Sequence, residues 1–188
     1  MKYSKYISLL IMLLPIVVFA FVKPAKIVLP QLAGVECIKE WICIDNHDRF
    51  QEAENLYETS LSKVERKLTK FENKPKVVFC SSNECFSKFG FNKAAGKSIG
   101  GFGVVIGPRG WKPHYIAHEL IHQWQSSNFG AIAVWLGPSW IIEGMAYALS
   151  DDPRKKLSEP FQSYTEQYTK EFGQLSGPEL ALALEKEI

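Results

Sequence analysis

Residues 113–149, PHYIAHELIHQWQSSNFGAIAVWLGPSWIIEGMAYAL, decide how the rest of the chain is read. Pro113 suits the first residue of a helix, where its missing N–H is no loss, and the helical pattern runs to about Ser127. Within it His118 and His122 stand one turn apart and project from the same face. Two imidazoles converging on one point suit a zinc ion, but a catalytic zinc takes three protein ligands and leaves a fourth position for water. A third ligand is supplied by the next helix, which Gly137 and Pro138 open and in which Glu143 follows Trp140, Ile141 and Ile142. An unpaired carboxylate on so apolar a helix is costly, and a metal offsets that cost. Glu119, next to the first histidine, is placed to take a proton from the attacking water and pass it to a leaving amine. With four His in 188 residues, chance yields a His-Glu-x-x-His pattern about 0.007 times in a chain of this composition, so the set reads as a hydrolase centre holding one Zn2+.

Upstream of this stretch, residues 48–72 place Phe50, Ala53, Tyr57, Leu61, Val64, Leu68 and Phe71 at three- and four-residue steps, a long amphipathic helix. Residues 76–80, KVVFC, read as a short buried strand, and Ser81 or Ser82 can cap a brief helix. After a loop over 90–96, SIGGFGVVIG at 98–107 reads as one strand weakened by glycine. Those glycines mark either a close-approach strand that a peptide can pair with, near 101–106, or simple irregularity. Downstream, FGAIAVWL at 129–136 is an apolar connection that closes a core or lines a pocket with Phe129, Ile132 and Trp135. Two more helices are expected, at about 160–172 and from Pro178 to the end. The order of helix, strand, short helix, strand and further helices is that of a small α+β domain.

The N-terminal 22 residues carry Lys2 and Lys5 ahead of an apolar run from Ile7 to Val22 broken only by Ser8. This is an export signal by pattern, either cleaved after Ala20 or kept as a membrane anchor, and it places the protein on the periplasmic or extracellular side. Cys37 with Cys43 and Cys80 with Cys85 form two local pairs that an oxidising compartment would close as disulfides. A four-thiolate zinc site is the competing reading, but C-x5-C and C-x4-C are wide spacings for one. The 22 Lys and Arg nearly balance 20 Asp and Glu, so the formal charge is only +2, and nucleic acid is not an expected partner. Trp124, Trp135 and Trp140 surround the candidate centre in sequence and suit packing between the two ligand helices, and His47 reads as a residue of a capping region.

HELIHQW at 118–124 followed by WIIEGMAYAL at 140–149 resembles the gluzincin metallopeptidases, the zincin-fold enzymes of the thermolysin and membrane-alanyl-aminopeptidase type. The resemblance covers about residues 98–150. It implies a zincin-like domain over 35–188 with a small sheet, zinc on His118, His122 and Glu143, Glu119 as general base, and a peptide or protein substrate. Family members stabilise the oxyanion with a Tyr or His, for which His114, Tyr147, Tyr164 and Tyr168 are the positions available. The aminopeptidase branch also has an upstream Gly-x-Met-Glu-Asn segment, and nothing in residues 90–117 matches it. Two other readings accompany the peptidase: an inactive zincin-fold module that binds a peptide along the strand near 101–106, and a zinc amidase acting on a cell-wall peptide. Retention of Glu119 argues against the module, since a purely structural site needs no base beside the metal.

Overall fold

A computed structural model describes residues 23–188. The signal-or-anchor expectation for residues 1–22 lies outside them, and among the described residues no helix is long and apolar enough to cross a membrane. The strands are β1 (Glu36–Lys39), β2 (Ile42–Ile44), β3 (Val77–Phe79), β4 (Gly96–Ile99) and β5 (Gly103–Ile106). They form one mixed sheet in the order β1-β2-β3-β5-β4, with β2, β3 and β5 parallel and the two outer strands antiparallel to their neighbours. Helices α1 (Lys23–Val28), α2 (Phe50–Lys67), α3 (Asn83–Lys88), α4 (Pro113–Phe129), α5 (Ala131–Leu136), α6 (Ser139–Leu149), α7 (Phe161–Phe172) and α8 (Gly177–Leu184) complete an α+β fold.

The period of two along the strands divides the interior. Ile42, Ile44, Val77, Phe79, Val104 and Ile106 face the larger core, with Tyr57 and Leu61 of α2, Leu120 and Trp124 of α4 and Met145 of α6. Cys43, Val78 and Val105 face a smaller core closed by Ile27, Val35, Phe86 and Phe89. Covering both faces explains why the three inner strands read as unbroken apolar runs. Ile27 of α1, upstream of residue 35, belongs to the smaller core.

Both cysteine pairs are disulfides, Cys37–Cys43 and Cys80–Cys85, which fits an oxidising, exported environment. Cys37 and Cys43 are cross-strand partners of β1 and β2, a hairpin the sequence reading missed.

Three expectations need correcting. The first long helix ends at Lys67, not at residue 72: Leu68 turns extended, and the next residue, Thr69, accepts the Trp124 indole N–H at 2.9 Å. Residues 98–107 are not one strand: they hold the end of the first arm, the turn and the second arm of a hairpin that begins at Gly96. Gly100 and Gly103 take φ of 36° and 142° to reverse the chain, and a Cβ on Gly103 would lie 2.6 Å from the Lys76 carbonyl. In consequence β5 is an interior strand and β4 forms the edge, so a peptide cannot pair along 103–106. The apolar connection at 129–136 does not close a core: it contains α5, none of whose side chains is buried.

Candidate metal centre

Helix α4 is packed along most of its length, with Ile116, Ala117, Leu120, Ile121 and Trp124 fully buried. Its remaining face carries His118, Glu119 and His122 toward the edge strand β4 and helix α6, where they line a cavity of about 380 Å³. Glu143 reaches the same cavity from α6. The Nε2 atoms of His118 and His122 are 3.2 Å apart, and Glu143 Oε2 is 3.6 Å from each. A tetrahedral zinc about 2.0–2.1 Å from its ligands needs ligand atoms about 3.3–3.4 Å apart, so this triangle of donors fits one metal ion. The three residues are a group that could hold a metal.

The imidazoles are aimed by their neighbours. The Gln125 amide nitrogen donates to the Ile142 carbonyl at 3.0 Å, which turns its oxygen toward His122 Nδ1 at 2.8 Å. His122 therefore donates from Nδ1, which leaves Nε2, facing His118 and Glu143, as the nitrogen that could take a metal. Burial pushes the Glu143 carboxyl up, but the two imidazoles outweigh it and hold the group well below the ordinary carboxylate range. For His122, burial acts downward and is overcome by Glu143, Glu119 and Gln125, so its pKa lies above the ordinary value. Glu143 and His122 thus favour each other's charged forms.

Glu119 lies against the sheet edge. Its Oε2 accepts the Ser98 backbone N–H at 2.7 Å, and a Cβ on Gly96 would come within 2.9 Å of its Cγ. Gly96 thus gives the carboxylate room beside β4. Gln123 pins the same hairpin to α4 by donating to Ser98 Oγ at 2.7 Å and to the Gly103 carbonyl at 3.0 Å. On α6, the residue after Glu143 is Gly144 because α7 crosses there: a Cβ would lie 2.4 Å from the Tyr164 carbonyl oxygen.

Of the four candidates for oxyanion stabilisation, Tyr147 lines the cavity, with its ring centroid 4.5 Å from that of His118. Burial is the main cause that raises its phenol pKa, which keeps the hydroxyl a donor at neutral pH. The other three do not line it: Tyr168 is buried in the core with a hydroxyl that has no hydrogen-bond partner among the described residues, Tyr164 packs its backbone against Gly144, and the His114 ring lies tilted against Tyr115 with centroids 4.3 Å apart. The pocket expected from Phe129, Ile132 and Trp135 also separates. Phe129 packs on Trp124, Ile132 faces solvent, and Trp135 borders a groove of about 210 Å³ beside His122 and Glu143.

Sequence reasoning missed Arg154. Its guanidinium is held by Asp152 and lies over the rings of Tyr147 and Tyr115, at 5.6 and 6.0 Å, on the wall of the cavity. It comes from the turn after α6, where no periodicity points to a site. Gln125 carried a usable signal, three residues after His122 on the ligand helix. No family model, curated protein or solved structure matches the chain.

Proposed function

We propose that the protein is an exported, zinc-dependent peptidase of zincin-like fold that cleaves peptide bonds with an activated water. The observation that carries this reading is the near-equilateral triangle of His118, His122 and Glu143 donor atoms with Glu119 on the adjoining wall of the same cavity. A bound zinc supplies Lewis-acid polarisation of the scissile carbonyl and lowers the pKa of water to about 7.

The chain's own groups supply the rest. Ser98 N–H orients Glu119 through one oxygen and leaves the other to take a proton from water and return it to the leaving amine. Tyr147 donates a hydrogen bond to the oxyanion, and Arg154, stacked over it, adds positive charge where negative charge develops. Gln125 and the α6 packing at Gly144 hold the ligands at their separations. The resemblance of 118–124 and 140–149 to gluzincins supports the same assignment. The decisive experiment is hydrolysis of an unfolded protein substrate by zinc-loaded wild type and Glu119→Gln: turnover by the first alone supports the peptidase, while inactivity of both under all conditions, with zinc bound, favours a peptide-binding module.

A further inference from the structure

Helix α5, AIAVWL, contains no charged residue and buries none of its side chains. Ile132, Trp135 and Leu136 are 74%, 81% and 70% exposed, and their spacing puts them on one face. The tip of the β4–β5 hairpin abuts this helix, since a Cβ on Gly100 would lie 2.9 Å from the Ala131 Cβ, and the tip carries Phe102, itself 54% exposed. Large apolar side chains gathered in this way on a monomer mark an interaction surface.

Two observations say what covers it. The first is charge. Phe102 shares a cavity with Lys70, Lys74 and Lys76, and Lys97 borders the groove with Trp135. Lys74 is paired with Glu58 and Glu72 stands among them, but Lys70, Lys76 and Lys97 form no ion pair with described residues. The second is where the chain enters. Residues 7–22, before Lys23, are an apolar run, and α1, which follows, packs against the turn end of the same hairpin, with Ile27 Cγ2 2.9 Å from where a Gly103 Cβ would lie.

We propose that the face formed by α5 and the hairpin tip docks on an anionic lipid surface, with Trp135, Ile132, Leu136 and Phe102 entering the headgroup boundary and the lysines meeting acidic headgroups. A Trp on an apolar face rimmed by Lys is the composition that binds such an interface. The groove bordered by Trp135 also contains His122 and Glu143, so docking sets the metal centre against the membrane. If the peptidase reading holds, its substrates are peptide segments close to a bilayer.

The test is tryptophan quenching in full-chain protein mixed with phosphatidylcholine vesicles containing about 30% phosphatidylglycerol and brominated acyl chains. Trp135 is the most exposed tryptophan, so its contribution is the difference between wild type and Trp135→Phe. Docking predicts strong quenching of Trp135. It also predicts a fall of at least about threefold when phosphatidylglycerol is omitted or when Ile132→Ser and Leu136→Ser are combined. The measurement reads the position of Trp135 whether or not residues 1–22 are embedded, and it needs no turnover. An unquenched Trp135 in anionic vesicles overturns the proposal. So does a dimer in solution that the Ile132→Ser/Leu136→Ser protein does not form, or a Trp135 blue shift produced by an apolar peptide and not by vesicles.

Discussion

The Gln125 side chain oxygen lies 2.8 Å from His122 Nδ1 while its amide nitrogen is tied to the Ile142 carbonyl, one residue before Glu143. A single side chain therefore sets the tautomer of His122 and the position of the helix that carries Glu143. Gln125→Ala removes both. Loss of such an orienting partner lowers metal affinity by about 10–100-fold. Competition with a chromophoric chelator measures it, and an affinity equal to that of wild type would show that the bond does not position the ligand.

Tyr147→Phe keeps the ring against His118 and removes the hydroxyl. We expect kcat to fall roughly 100-fold with KM and zinc content nearly unchanged, as for loss of one oxyanion donor. An unchanged kcat would return the role to Arg154 alone.

The metal-free centre is pH-sensitive in a defined direction. His122, raised above its ordinary 6.5, adds stability to the metal-free fold that is fully present below that value and is lost as pH rises through its folded pKa. Glu143, depressed below its ordinary 4.5, adds stability present above that value and lost as pH falls toward its folded pKa. Metal binding must displace the His122 proton. The zinc-induced rise in Tm is therefore smaller near about pH 6 than near about pH 8, as thermal melts with and without zinc would show. An increment that grows on acidification contradicts the assignment of His122 as a ligand.

Gly144→Ala drives a methyl group into the Tyr164 backbone at a contact of 2.4 Å. Backbone must move, so a loss of about 3 kcal/mol is expected, together with weaker zinc binding because Glu143 is adjacent. Calorimetry and the chelator assay measure the two effects. Wild-type stability would show that α7 yields freely.

The convergence of His118, His122 and Glu143 was legible because helical geometry brings i,i+4 histidines together, and because a Glu on the next helix in a Trp-Ile-Ile setting needs a partner. The helices of the second half were legible through Pro113, Pro138 and Gly137 at their ends. The β1–β2 hairpin was not, since β1 is four residues long and mostly exposed, and its pairing rests on the Cys37–Cys43 bridge rather than on alternation. Nor was the Gly100–Phe102 turn, because glycine fits a weakened strand and a chain reversal equally well. Arg154 returns over Tyr147 through the irregular segment that follows α6, where no periodicity marks it. Tyr164 and Tyr168 lie on the next helix, and that proximity in sequence suggested the site, but α7 faces α6 with its backbone at Gly144 and sends Tyr168 into the core.

The central claim is a metal held by His118, His122 and Glu143. Zinc content by mass spectrometry of the folded, zinc-equilibrated protein tests it most directly, with His122→Ala and Glu143→Ala measured alongside. The account predicts about one zinc per wild-type chain and loss of zinc from both variants, each still folded by circular dichroism. A folded wild type without zinc, or variants that retain it, would contradict the account.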